Sequence, residues 1–196
     1  MALWGATDAD EAKPKHLTTA QKTEVYANSG GWVVEAGSSQ TGNGNASADP
    51  EILVAIRGLS TSIGAADVTE VEWITTSADK SAGFTLSVRV RYNEAVTVTG
   101  NPTLAVTNGN EGTSSGRGPH TLVYASGTGT NELVFSLAIA AANAATNADD
   151  VLTIGAQNIL KPGGATMKDT SGTASDSAVA ISAGQGTAAG SITVVA

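Results

Sequence analysis

No cysteine occurs among the 196 residues, which removes disulfide frameworks, thiolate metal sites and thiol nucleophiles and leaves the redox compartment undecided. Histidine is nearly missing too. His16 and His120 lie far apart in the chain, so a histidine-based triad or metal site would need a convergence that nothing in the sequence announces. His120, within Gly116-Arg-Gly-Pro-His120, is expected on an exposed loop. Aromatic residues make up only 4%, so a core must be built mostly from small and β-branched side chains. Positive charge is scarce: ten basic against eighteen acidic residues leave a net charge of −8. That balance repels phosphate backbones and anionic membrane surfaces within a Debye length of about 8 Å. Neither nucleic acid nor a membrane is therefore an expected partner. No window holds roughly 18 apolar residues in a row, and Met1-Ala-Leu-Trp-Gly-Ala-Thr-Asp-Ala-Asp10 lacks the basic start and apolar stretch of a secretory signal.

What is present favours strands and tight turns. The chain has 23 glycines, an apolar fraction of 41% and a charged fraction of 14%, enough apolar surface to fold and too little charge for a solvated disordered chain. In Phe84-Thr-Leu86-Ser-Val88-Arg-Val90-Arg-Tyr92 apolar side chains fall at every second position, as in a strand with one buried face. Further strands are expected around 95–99, 103–107, 121–125, 132–139, 151–154, 178–182 and 191–195, with turns at Asn108-Gly109, Gly127-Thr-Gly129 and Lys161-Pro-Gly-Gly164. This density of short strands predicts a mainly β protein with an immunoglobulin-like β-sandwich. The alanine run within Ala138–Asn147 has helix propensity and predicts a helical turn between sheets. No internal repeat is evident.

The front of the chain reads differently. Residues 1–17 have no periodicity and form an extended arm. Thr18 and Gln21 fit a capping box, predicting a short helix over 19–27 that ends at Asn28-Ser-Gly-Gly31. Trp32-Val-Val-Glu35 and Glu51-Ile-Leu-Val-Ala-Ile-Arg57 read as two strands of a β-hairpin joined by the Gly, Ser, Asn and Asp-rich loop Gly37–Pro50. Val68–Thr75 is expected as the strand entering the sandwich, with Val71 and Trp73 on one face. Residues 1–66 are thus expected as a small N-terminal region and 67–196 as the sandwich domain.

Candidate chemistry is thin. Asp8-Ala-Asp10-Glu11 and Asp149-Asp150 supply carboxylates without the ligand spacing of a calcium loop, and they read as solvated turn acids; Asp169 in Lys168-Asp-Thr-Ser-Gly172 is weighed the same way. Gly42-Asn-Gly44 and Gly127-Thr-Gly129 lack the helix and lysine of a phosphate cradle and read as turns. Asn45-Ala-Ser47 matches a glycosylation sequon but reads as loop. A carbohydrate-active enzyme would need a carboxylate pair in a cleft and an aromatic platform. The sequence offers no persuasive pair, so a non-enzymatic module without metal or cofactor is expected. Trp4, Trp32 and Trp73 stand out in a chain this poor in aromatics; each either plugs a core or anchors a contact.

Two resemblances sharpen this reading. Val96-Thr-Val-Thr-Gly-Asn-Pro-Thr-Leu104, then Val123-Tyr-Ala-Ser-Gly-Thr-Gly-Thr-Asn-Glu-Leu-Val-Phe135, then Gly163-Gly-Ala-Thr-Met-Lys-Asp169 resemble, in order and spacing, a bacterial immunoglobulin-like repeat of surface proteins and adhesins, over about 84–182. The family's last motif continues as Asp, two residues, Gly-Asn, whereas here Asp169 is followed by Thr-Ser-Gly172-Thr173. Met1-Ala-Leu-Trp-Gly5, Ala9-Asp-Glu-Ala-Lys-Pro-Lys15, Gly31-Trp-Val-Val34 and Glu51-Ile-Leu-Val-Ala-Ile56 are similar to the start of virion structural proteins of marine and cyanobacterial tailed phages. Together the resemblances imply a capsid decoration protein, made in the host cytoplasm and placed on the outer capsid surface. They imply the major capsid protein as partner, with self-association on the shell as a further contact, and Trp4, Lys13, Lys15, Trp32 and Arg57 as contact residues. A tail, neck or fibre module and a bacterial cell-surface adhesin fragment are the competing expectations.

Overall fold

The capping box forms as expected. In the computed structural model, which describes residues 14, 16–28, 30–42, 44–55, 65–109, 118–141, 145–169 and 176–196, the Gln21 N–H donates to Thr18 Oγ1 at 3.2 Å and the Thr18 N–H to Gln21 Oε1 at 2.9 Å. The helix they start, α1, spans Thr19–Thr23 and stops well short of residue 27. Val25–Asn28 instead forms β1, antiparallel to β2 (Gly31–Val34), with Val25 opposite Val34 and Ala27 opposite Trp32. An isolated helix of nine residues is marginal in water. Burying Val25 and Ala27 completely in the sheet outweighs extending it. β2 pairs in turn with β3 (Glu51–Ala55), so the expected hairpin is present and β1 adds a third strand to it.

Eleven further strands follow: β4 (Val68–Trp73), β5 (Ala78–Asp79), β6 (Phe84–Thr99), β7 (Thr103–Asn108), β8 (His120–Ser126), β9 (Thr130–Ile139), β10 (Val151–Thr153), β11 (Gln157–Asn158), β12 (Thr166–Asp169), β13 (Ala180–Ile181) and β14 (Ser191–Val195). The protein is mainly β. Twelve strands join in one sheet ordered β3-β2-β1-β6-β9-β8-β7-β10-β14-β5, with β4 and β12 also on β6, while β11 and β13 pair separately.

β6 is the spine. The sequence predicts two strands, 84–92 and 95–99, because Asn93 and Glu94 interrupt the apolar alternation, yet the structure carries one strand of 16 residues through them. Its first half lies between β4 and β9; its second half pairs with β12, from Val96 opposite Asp169 to Thr99 opposite Thr166. The register against β9 shifts between Arg91 and Val96, which marks the point where the strand exchanges partners. Asn93 stays in the strand because its Oδ1 accepts from the Asp67 N–H at 2.7 Å.

Leu86, Val88, Val90 and Tyr92 of β6 share one core with Leu104 and Val106 of β7, Phe135 of β9, Leu152 of β10 and Val194 of β14. Strands remote from one another along the sheet order thus contribute to the same core, so the sheet curls back over itself. A smaller cluster gathers Leu17, Val25, Ala27, Trp32 and Val34, with Val54 against it. A second helix, α2 (Ala183–Ala189), was not expected from its glycine-containing sequence; a Ser182–Gln185 capping box starts it and the Gln185 amide donates to the Val68 carbonyl at 2.7 Å. In the Ala138–Asn147 segment, Ala138 and Ile139 complete β9, and no helix occurs among its described residues.

Three readings of single residues are corrected. His120 is no loop residue: it opens β8 opposite Val106, is buried, and lies 3.2 Å from Thr146 Oγ1. Asp150 is fully buried rather than solvated, and Asp169 is buried at the end of β12. Both are held by packing of strands that only tertiary pairing brings together.

Candidate functional site

Strand alternation places charge on the face of β4, β6 and β9 away from the core. Glu70 and Glu72 flank buried Val71 on β4, Arg89 and Arg91 alternate with Val88 and Val90 on β6, and Glu132 precedes buried Leu133 on β9. Pairing aligns them into a ladder. Arg91 lies 3.3 Å from Glu70, 3.4 Å from Glu72 and 2.7 Å from Glu132, while Arg89 lies 2.8 Å from Glu72 and 3.4 Å from Glu132. The Arg91 Nε and Glu132 contact is an electrostatic one, not an aligned hydrogen bond.

Glu35 approaches this ladder from the N-terminal strands. It follows β2, its N–H donating to the Glu24 carbonyl at 2.9 Å. Its carboxyl and that of Glu132 line the same cleft. Tyr26, Glu35, Ala36, Ala46, Ala48 and Pro50 form one wall of a cleft of about 410 Å³, and Gly129 with the first three residues of β9 forms the other. Behind Glu35, the Glu24 carboxylate accepts from the Ser38 hydroxyl and from the Gln40 amide, the latter at 3.3 Å.

Two guanidinium groups therefore face five carboxyls in one connected patch. Burial chiefly, then the Glu132 charge, push the Glu35 carboxyl up to about 7; Arg91 pulls the other way, and Glu24 and the interaction of the protonated Glu35 carboxyl, as donor, with Glu132 add to the rise. The Tyr26 hydroxyl is raised by burial and by Glu35.

Of the residues expected at a partner interface, Trp4, Lys13, Lys15 and Arg57 lie outside the described residues. Trp32 is placed by the structure at the centre of the smaller cluster, fully buried with its indole N–H unpaired, so it offers no contact surface. Trp73 packs partly buried against the main core, its indole N–H 3.4 Å from the Gly190 carbonyl. Asn45 caps a turn, accepting from the Ser47 N–H at 3.0 Å. Among the described residues no group of three His, Asp or Glu side chains is arranged to hold a metal ion, and no helix is long and apolar enough to cross a membrane.

Glu35 and Glu132 were not singled out in the sequence. The alternation of Arg89 and Arg91 with valines carried a signal for the outward charge ladder, but the approach of Glu35 depends on how the N-terminal layer packs. One further exposed feature belongs to the N-terminal strands: β3, the last strand of the sheet among the described residues, presents Ile52 and Leu53 to solvent at 59% and 37% exposure. Comparison of the chain with family models, curated proteins and solved structures gives no match.

Proposed function

We propose that the chain is a non-enzymatic virion structural protein of tailed-phage type, bound to the outer capsid surface by residues 1–66 and carrying outward an immunoglobulin-like β-sandwich over 67–196. The observation that carries this reading is the β3 edge. A strand that no other described strand pairs beyond β2, with Ile52 and Leu53 exposed, is a liability in a free protein, and it becomes useful when the major capsid protein covers it. The resemblance of 1–60 to phage virion proteins supports the same end of the molecule as the docking end. The net charge of −8 suits exposure outside the nucleic acid-filled interior. Docking would bury apolar surface across capsomer boundaries, so opening the shell requires breaking added contacts. The charge ladder and cleft belong to the module's architecture in this reading.

Quantitative mass spectrometry of purified virions, calibrated on the major capsid protein, tests it. Copies in the hundreds per particle support decoration. A handful would move the protein to the tail, neck or fibres, and none would overturn the virion reading in favour of a cell-surface adhesin. Deleting residues 1–17, or Ile52→Lys, should lower occupancy without unfolding residues 67–196.

A further inference from the structure

β14 is flanked by β10 on one edge and by β5 on the other, and β5 pairs with no other described strand. Two chain segments are thereby fixed against its two edges. The Lys80 N–H, just past β5, donates to the Val195 carbonyl at 2.9 Å. On the opposite edge the Asp149 N–H donates to the Val194 carbonyl at 2.8 Å, and the Val194 N–H to the Asp150 carbonyl at 2.8 Å. Buried Asp150 also sets Asn147: the Asn147 N–H donates to Asp150 Oδ2 at 2.7 Å, and the Asp150 N–H to the Asn147 carbonyl at 3.3 Å. Across β14 two side chains meet. Lys80 Nζ donates to Asn147 Oδ1 at 3.2 Å, the two residues being partly buried and 67 positions apart in the chain. Both backbones are tied to the same strand, so the amine and the carboxamide carbon next to Oδ1 are presented to each other in advance. Such pre-positioning is what most favours a reaction within one molecule.

We propose that Lys80 and Asn147 are a site of self-modification, joined by an amide bond that straps β14 between β5 and β10. The lysine amine is the nucleophile and the asparagine carboxamide the acyl donor. The Lys80 ammonium first gives a proton to water, and the nitrogen lone pair then adds to Asn147 Cγ. The Cγ–Nδ2 bond breaks, and the carboxamide nitrogen leaves as ammonia, carrying away the hydrogen that the Lys80 nitrogen sheds. No oxidant, reductant or cofactor enters the balance. The product gives β5, a strand of two residues with one partner strand, a covalent tie to the segment before β10. It also closes a long loop, which restricts the unfolded chain as a disulfide does, in a protein without cysteine. The site stands on this geometry and does not depend on the virion reading.

The intact mass of the purified full chain reads the bond directly. A linked chain is lighter than its sequence by one ammonia, about 17 Da, and its protease digest contains one branched peptide that carries both Lys80 and Asn147. Lys80→Arg, which keeps the positive charge and removes the primary amine, should show the mass of its own sequence and no branched peptide. A wild-type mass that stays at the sequence value after prolonged incubation of the folded protein overturns the proposal. So does a loss of ammonia with Lys80 and Asn147 recovered in separate peptides, the result expected if an asparagine cyclises on its own backbone, and so does a loss that persists in Lys80→Arg. The wild-type mass and digest decide the matter even if the substituted chain fails to fold.

Discussion

Asp67 and Asn93 hold each other by a reciprocal pair of bonds: the Asp67 N–H donates to Asn93 Oδ1 at 2.7 Å, and the Asn93 N–H donates to the Asp67 carbonyl at 3.0 Å. Asn93 is 2% exposed and sits where β6 changes partners, so this pair fixes both the entry of β4 and the continuity of the spine. Asn93→Ala should destabilise the chain by about 1–2 kcal/mol, the cost of leaving the Asp67 donor without its partner. Denaturant melts of wild type and variant measure it. A difference within error would mean that β6 continues through Asn93 without the side chain.

The same residue explains part of what was legible in the sequence. The period-two pattern from Phe84 to Tyr92 identified the spine, and the Thr18–Gln21 box located α1, because both signals are local. Asn93-Glu94 read as a break because a buried polar pair looks like a turn until its partner, Asp67, is brought to it. α1 was expected to run to residue 27, since nothing local says that Val25–Asn28 will find β2. α2 followed a Ser182–Gln185 box as regular as the first, yet Gly184 and Gly186 hid it. The cleft shared by Glu35 and Glu132 left no trace, for the two residues lie far apart in the chain.

Asp149 and Asp150 are neighbours with opposite roles. Asp150 Oδ2 accepts from the Asn147 N–H at 2.7 Å and from Asn108 Nδ2 at 2.8 Å, and its carbonyl accepts from the Val194 N–H at 2.8 Å, tying β7, β10 and β14. Asp149 is exposed with φ of 68°, in the left-handed region. Asp150→Ala should cost about 2–3 kcal/mol, because the Asn147 N–H and the Asn108 amide both lose a buried acceptor. Asp149→Gly should be neutral or stabilising by a few tenths of a kcal/mol, roughly the relief of the φ strain less the added chain entropy. Thermal unfolding of both variants separates the two; equal effects would contradict the assignment.

Gly127 closes the β8–β9 turn at φ of 108°, and a Cβ there would sit 1.9 Å from the Glu132 carbonyl oxygen. That backbone cannot retreat without moving Glu132 out of the ladder with Arg89 and Arg91. Gly127→Ala should therefore destabilise by roughly 2–4 kcal/mol, combining the positive φ with a steric clash. Gly129→Ala, where φ is also positive but the space is open, should cost only about 1 kcal/mol. Comparing their denaturation midpoints isolates the clash. Similar midpoints would show that the turn relaxes freely and that Glu132 is not fixed by it.

Trp32 gives the sharpest separation between a core role and a contact role. Its side chain is fully buried among Leu17, Val25, Ala27 and Val34, and Val54 of β3 packs against the same cluster. Trp32→Ala should cost about 3–5 kcal/mol, as expected for emptying a large buried aromatic site, and protection of the β1 and β2 amides should fall with it. Ile52→Lys, changing a side chain 59% exposed on the neighbouring strand, should move stability by no more than about 0.5 kcal/mol. If the N-terminal layer docks on a capsid, both variants lower occupancy, but only the first does so by loosening the layer. Melting and hydrogen exchange on the free protein therefore decide between the roles before any particle is assembled. Trp32→Ala with an unchanged melt would place Trp32 back among the contact residues and take the smaller core with it.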